Sequence, residues 1–322
     1  MKIKRLSVHS LFGNLDFEWL FNEDINILAG INGSYKTTLL NILWHVTNHE
    51  EVEYPVSLVE AEYFGGLKLT YTREVKDLKS LLTTRDSNKM VVDMIQKEHP
   101  EWVSGGNAIP NVQVAIKSYR EEINGRHLEK NEYESIKRID FISTFDVASD
   151  HDKESVLNAE LLRLKERYAF YLSDLSKQVS NLLKVNGSVS REQVDAINKH
   201  RDEFVTIVND AFTETGKTLS ETESDLSFVL SNGKHIQPQN LSAGEKQLLI
   251  IFLTVLLEKR QEYILIMDEP EISIHIDMQY SLIDNLRKLN PQLQLILSTH
   301  SPAIFGAGWG EKVVYADRLL KK

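Results

Sequence analysis

The chain has no cysteine, which excludes a disulfide framework and thiolate metal sites and fits a reducing compartment. It also lacks any apolar run approaching the ~18 to 20 residues of a bilayer span. The longest, residues 248–257, is interrupted by Thr254. At the N-terminus, MKIKRLSVHS has charges and alternation where a signal peptide carries its apolar segment, so a cytoplasmic protein with no membrane part is expected. Positive charge is in deficit, and the formal net charge is −10. That argues against a surface that is a polyanion footprint throughout, although a local basic groove stays open because the balance constrains only the average. No internal repeat or low-complexity tract is evident. What is present is ample core material: 42% of the 322 residues are apolar, enough for two average domains or one compound α/β domain.

The stretch GINGSYKTT, residues 30–38, follows a short apolar strand over residues 25–29 and opens an amphipathic helix from Lys36. Against the pattern G-x-x-x-x-G-K-[ST] it supplies Gly30, Lys36 and Thr37, but Tyr35 stands where the last glycine belongs. In such a loop, consecutive backbone N–H groups and a helix N-terminus turn positive ends toward phosphate oxygens. Lys36 would reach the β- and γ-phosphates and the Thr37 hydroxyl would bind Mg²⁺. A glycine-containing turn before a capped helix is the plainer alternative.

The first 30 residues alternate like strands, with Ile3, Leu6 and Val8, then Leu15, Phe17 and Trp19 on one face. Beyond the loop helix, β-type runs at 56–58, 67–71, 112–116 and 139–142 suggest an antiparallel subdomain. Residues 76–104 are polar and interrupted, as in an insertion. From about Lys153 the period changes: Leu157, Leu161, Leu164, Tyr168, Tyr171, Leu175, Val179 and Leu182 recur at spacings of three and four. Asn186 and Gly187 end this helix, and Ser190 with Gln193 forms a capping box for a second one. The second helix repeats the seam through Val194, Ile197, Phe204, Val208 and Ala211, so the two are expected to form an antiparallel hairpin.

In the last third, NLSAGEKQLLIIFLTVLLEKR runs into a nearly all-apolar helix that must be buried on most faces. Residues 263–267 then form a continuous apolar run, typical of a central parallel strand, and are followed by Asp268 and Glu269. A helix with Ile276, Tyr280, Ile283 and Leu286 on one face leads to a second buried strand, residues 293–297, which delivers Ser298, Thr299 and His300. Strand, helix, strand in this order predicts a parallel crossover, with polar residues gathered at the edge where α/β sheets bind ligands.

Each motif has a bland explanation. Acidic residues commonly follow strands, a histidine there is often structural, and Ser242 with Glu245 makes an ordinary capping box. A capped helix does not by itself call for Ala243-Gly244, a pair we expect to form a side-chain-poor loop through which N–H groups approach an anion. If Asp268 holds Mg²⁺ through water and Glu269 orients the attacking water, the set suits γ-phosphoryl transfer, which needs mainly positioning and charge compensation.

The order GINGSYKTT, LSAGEKQ, LIMDEPE and LSTHSP resembles the ATP-binding-cassette heads of the chromosome-maintenance and double-strand-break-repair class. The wording DEPEISIHID and STHSPAIF is closer still to overcoming-lysogenization-defect (OLD) type ATPases and to the ATPase subunits of anti-phage systems such as Septu, PARIS and retrons. This resemblance implies an α/β P-loop ATPase head with a mixed sheet, an antiparallel β subdomain and an inserted helical hairpin lobe. It places Gly30, Asn32, Gly33, Ser34, Lys36, Thr37 and Thr38 on ATP, and Thr37 and Asp268 on Mg²⁺. Glu269 would be the catalytic glutamate and His300 the switch histidine. Ser242 and Gly244 would reach the γ-phosphate of ATP held by a second head, and Ser273, Ile274, His275 and Asp277 would form a dimer-contact loop. The glutamine that usually joins the magnesium site to the lobe is not identifiable; residues 144–146 and Gln113 are candidate positions.

Three departures stand out: Tyr35, Ala243 in place of the middle signature glycine, and Ile276-Asp277 where OLD-like chains have proline after the histidine. Tyr35 forced into left-handed geometry would lose ~1 to 2 kcal/mol. The expected organisation is an N-terminal ATPase lobe over residues 1–150, the hairpin lobe over 151–213 and a C-terminal ATPase lobe over 214–322. The expected function is Mg²⁺-dependent ATP hydrolysis coupled to head-to-tail homodimerisation, or to a higher homo-oligomer. The chain would then be the sensor or regulatory subunit of an anti-phage complex. Only about twenty residues follow Pro302, too few for the nuclease domain of OLD enzymes, so a separate nuclease or toxin chain is expected as effector, with nucleic acid reached through the complex. A DNA-repair head and a nucleotide-locked scaffold with negligible hydrolysis are the alternatives.

Overall fold

The computed structural model describes residues 1–77, 97, 113–143, 150–220, 226–306 and 308–321. Two compact units emerge, one of residues 1–2, 21–40 and 137–318, the other of residues 3–20, 41–136 and 319–322. The boundaries expected at residues 150 and 213 both fall inside the first unit.

In the second unit, β1 (Ile3–Leu11), β2 (Leu15–Leu20), β4 (Leu58–Tyr63), β5 (Leu67–Asp77), β6 (Gln113–Ile123) and β7 (Arg126–His127) form an antiparallel sheet in the order β2-β1-β4-β5-β6-β7. Alternation decides which face is covered: Leu6, Val8, Trp19, Val59, Ala61, Leu69 and Tyr71 are all buried. Helix α2 (Lys130–Ile136) adds the buried Tyr133, whose hydroxyl donates to the Thr47 carbonyl at 2.7 Å. The strand expected at 56–58 begins only at Leu58, although Val56 is buried. Most of the stretch expected to be an insertion lies outside the described residues; Lys76 and Asp77 belong to β5.

The first unit is built on a parallel sheet, order β14-β3-β13-β12-β8, comprising β3 (Ile25–Ala29), β8 (Ile139–Ser143), β12 (Tyr263–Asp268), β13 (Leu293–Thr299) and β14 (Val313–Tyr315). Residues 139–142 therefore do not join the antiparallel subdomain as expected; they pair in parallel with β12. Every residue of β12 and β13 is buried, which is why both read as unbroken apolar runs. Around them stand α3 (Asp150–Asn186), α4 (Arg191–Phe212), α5 (Ala243–Leu257), α6 (Ile276–Leu289) and the short α7 (Pro302–Gly306), while β9 (Lys217–Leu219), β10 (Phe228–Leu230) and β11 (His235–Ile236) form a small antiparallel meander.

The capping box is present: Ser190 Oγ accepts from the Gln193 N–H, and the Gln193 side chain accepts from the Ser190 N–H. The expected hairpin seam is buried through Leu161, Leu164, Tyr168, Tyr171, Phe204 and Val208, within the same cluster as α5, β12 and β13. In α6 the expected face is displaced. Ile276 and Tyr280 are about half exposed, whereas Gln279, Leu282, Ile283, Leu286 and Leu289 are buried. Among the described residues no helix is long and apolar enough to cross a membrane.

Candidate nucleotide site

Strand register builds the site. Asp268 lies beside Ser298, and Thr299 beside Ala29. The residues that follow, Glu269, His300 and Gly30, therefore leave the sheet at one edge, the carboxyl edge where parallel α/β sheets bind ligands. The loop then turns tightly, with the Ser34 N–H donating to the Ile31 carbonyl at 3.2 Å. A Cβ on Gly30 would meet Ser34 Oγ at 2.6 Å, which accounts for glycine there. Gly33 has φ +79°, and Tyr35, in the glycine position, has φ +66°. The left-handed geometry expected to penalise Tyr35 is thus present. It leads straight into α1 (Lys36–Asn48), whose Leu39 N–H donates to the Tyr35 carbonyl at 2.9 Å.

Lys36 is 4% exposed, and its ammonium donates to the carbonyls of Gly30 and Ile31 at 3.2 and 3.3 Å. It also lies 2.7 Å from His300 Nε2 and 3.9 Å from Glu269 Oε1, while His300 Nε2 is 3.0 Å from the same Glu269 oxygen. One ring nitrogen cannot satisfy both neighbours in one state. Unprotonated, Nε2 accepts from Lys36; protonated, it donates to Glu269. Burial pulls the Lys36 ammonium below its ordinary value against the opposing pull of Glu269, Asp268 and Glu271. Burial also pushes Glu269 above the usual carboxylate range, helped by Asp268 and Glu271 and resisted by His300 and Lys36. A largely buried cation facing a carboxylate that resists ionisation suits a triphosphate with a nearby proton acceptor.

Asn32, Gly33, Ser34, Lys36, Thr37 and Thr38 line one cavity of about 390 Å³ with Tyr35, Glu269 and His300. Gly30 lines an adjoining cavity of about 410 Å³, with Ser34, His300 and Tyr315. Asp268 lines neither: its side chain is fully buried and Oδ1 accepts from the Ser298 hydroxyl. The Glu269 N–H is fixed by the Ser298 carbonyl at 3.1 Å. A threonine hydroxyl on the cavity wall and a carboxylate behind it are hard oxygen donors, which fits Mg²⁺.

Ser242 and Gly244 are not brought to this cavity. Ser242 Oγ accepts from the Glu245 N–H at 3.4 Å and Glu245 Oε2 accepts from the Ser242 N–H at 2.8 Å, completing the capping box, while Lys217 holds Glu245 Oε1 at 2.6 Å. Ala243 and Gly244 do not form the expected loop; they are the first two residues of α5. Gly244 is there because α5 begins hard against the segment after β12: a Cβ would lie 1.9 Å from the Ser273 carbonyl oxygen. On that segment, residues 270–275, Ile272 is exposed, Ile274 is buried, and His275 Nδ1 lies 3.2 Å from Asp277 Oδ2. Residues 144–146 lie outside the described residues, and Gln113 opens β6 in the second unit. Sequence reasoning placed Ser298 at the strand end without giving it a partner and passed over Glu271. The signal for Glu271 was a second acidic residue two places beyond Glu269 in DEPE.

A phosphate loop, a carboxylate pair and a histidine at the ends of neighbouring parallel strands define a P-loop ATPase domain. The chain belongs to the AAA ATPase domain family, which matches residues 110–305 and so includes Asp268, Glu269 and His300. It is 25% identical over 201 residues to the Retron Vc95 probable ATPase of Vibrio cholerae serotype O1 biovar El Tor, covering 56% of this chain but only 38% of that protein. Septu protein PtuA of Bacillus thuringiensis is 21% identical over 315 residues, covering 93% of this chain and 72% of PtuA. In fold the chain is similar to an Smc head solved with the C-winged helix domain of ScpA, with a TM-score of 0.53 and 12% identity, covering 95% of this chain and 92% of that one.

Proposed function

We propose that this chain is a defence-associated ATPase that binds Mg²⁺-ATP, pairs head to tail on it and hydrolyses it to control a separate effector, a nuclease or toxin. The observation that carries this reading is the single cavity shared by residues 32–38, Glu269 and His300, with Ser242 and Gly244 outside it. Such a half-site is completed by a second copy. The N–H groups of residues 32–38 and Lys36 would hold the phosphates. Thr37 and Asp268 would hold Mg²⁺, which when bound offsets phosphate charge. Glu269 would orient water and take its proton, and His300 Nε2 would either accept from Lys36 or, when it carries a proton, donate to Glu269. The similarity to a retron ATPase and to PtuA supports the defence setting.

The test is Glu269→Gln in the full chain. ATP is expected to bind and to raise light scattering through association, while phosphate release falls to background. Absence of both ATP binding and ATP-dependent association would refute the proposal. A nucleotide-locked scaffold is the second reading, favoured by the strained Tyr35. Equal background phosphate release from wild type and Glu269→Gln would select it.

A further inference from the structure

Glu271 follows Pro270 in the 3₁₀ turn Pro270–Ser273 and points back at the switch loop. One oxygen, Oε1, accepts three hydrogen bonds from consecutive residues: the Thr299 hydroxyl at 2.7 Å, the His300 N–H at 2.6 Å and the Ser301 N–H at 3.2 Å. Two successive backbone N–H groups converging on one anion make a nest, and charge-assisted bonds of this kind are about twice as strong as neutral ones. The circuit closes through Gln279 on α6, which is 8% exposed. Its Oε1 accepts from the Ser301 hydroxyl at 2.6 Å, and its Nε2 donates to the carbonyls of Ile274 at 2.8 Å and Glu271 at 3.3 Å. The His300 ring is partly exposed and, among the bonds described, touches the side chains of Lys36 and Glu269. Its backbone is held separately, by the Glu271 carboxylate.

We infer that Glu271 is a positioning residue for hydrolysis: it sets His300 on Glu269 and Lys36 and ties that position to the 270–275 segment. It touches neither reacting atoms nor phosphate. Because the same turn carries the exposed Ile272, displacement of this segment by a second copy is passed to His300 through one carboxylate. This inference rests on the hydrolytic reading above, with His300 as part of the site.

The experiment separates reach from charge. Glu271→Asp keeps the charge but withdraws the oxygen by one methylene, whereas Glu271→Gln keeps an acceptor in place. In the glutamine variant the amide nitrogen takes the position of Oε2, which is buried without a hydrogen-bond partner among the described residues. Steady-state ATP hydrolysis by the full chain is expected to lose on the order of 10- to 100-fold in kcat for Glu271→Asp, with KM within about twofold, since misplacement of about 1 Å carries losses of that size. Glu271→Gln, which keeps the acceptor in place but gives up the charge assistance, is expected to lose less kcat than Glu271→Asp. Placed on His300→Ala, Glu271→Asp is expected to add less than about twofold, because residues acting through one another are not additive. An undiminished Glu271→Asp enzyme, or a loss that persists in full on His300→Ala, overturns the inference while leaving the hydrolytic reading intact. Wild-type kcat in His300→Ala removes the role of His300 itself, and the inference with it.

Discussion

Gly244→Ala sets two effects of known size against each other. Gly244 is helical and its φ is not in the left-handed range, so propensity alone favours alanine by ~0.5 to 1 kcal/mol. Sterics say the reverse. The new Cβ would lie 1.9 Å from the Ser273 carbonyl oxygen, where contacts below 3.0 Å are essentially never seen. The obstacle is backbone, which cannot rotate aside, so the start of α5 and the segment carrying Ser273 must separate. Overpacking of this kind costs about 1 to 3 kcal/mol, and the upper end applies when main chain meets side chain. The net expectation is a loss of about 2 to 2.5 kcal/mol in urea unfolding, with an unchanged slope. Gly306→Ala, where nothing lies within 4 Å of the new atom, is the control and should stay within about 0.5 kcal/mol of wild type. Because the displaced segment is the one expected to meet a second copy, Gly244→Ala should also weaken ATP-dependent association. A Gly244→Ala protein at or above wild-type stability would show that the approach of α5 to Ser273 is not a constraint, and that propensity alone governs the position.

Tyr35→Gly removes a left-handed penalty of ~1 to 2 kcal/mol but adds ~0.5 to 1 kcal/mol of unfolded-chain freedom, so stability should rise by up to about 1 kcal/mol. ATP affinity should hold while turnover changes; unchanged affinity, rate and assembly would leave Tyr35 without a role. For pH, Glu269 binds its proton more tightly folded than unfolded. Its contribution to stability is therefore present below the ordinary glutamate value of 4.5 and is lost as pH rises through the folded value. The acid limb of kcat should lie above pH 4.5, and a stopped assay placing it at or below that value would contradict the burial argument.

Much of this site was legible because its parts sit where sequence periodicity speaks clearly. The strands β12 and β13 are covered on both faces, so their unbroken apolar runs could hardly be anything else, and the residues after them had to emerge at the carboxyl edge. The β8 strand was assigned to the wrong sheet because IDFIS carries no mark of its partner. Only the structure shows Asp140 half-buried, its carboxyl raised by desolvation and accepting from the Tyr263 hydroxyl at 2.8 Å. In α6 the stripe Ile276, Tyr280, Ile283 and Leu286 is a valid helical face, but half of it is exposed. The true buried face runs through Leu282 and Leu289, and a polar residue, Gln279, occupies it because it bonds Ser301 in the loop after β13. Periodicity assumes that buried means apolar, so it cannot find a side chain buried for its hydrogen bonds.

Two strained positions at the nucleotide cavity show the same limit from the other side. Tyr35 at φ +66° and Glu269 at φ +47° are both non-glycine residues in left-handed geometry, and both line the nucleotide cavity. Tyr35 was visible as a departure from the loop pattern, because the pattern requires glycine for its backbone. Glu269 was invisible, because its side chain is the one the chemistry requires. Its strain has a local source in the sequence all the same. Pro270 closes the right-handed helical region to the residue before it, while the bond from the Glu269 N–H to the Ser298 carbonyl holds the chain at the strand end. With one exit blocked and the other anchored, Glu269 turns left-handed at a cost of ~1 to 2 kcal/mol. That turn brings its carboxylate to His300 rather than along the sheet. If Glu269 is the catalytic carboxylate proposed above, strain held by two neighbouring constraints is a positioning device, and Pro270 belongs to the site as much as Lys36 does.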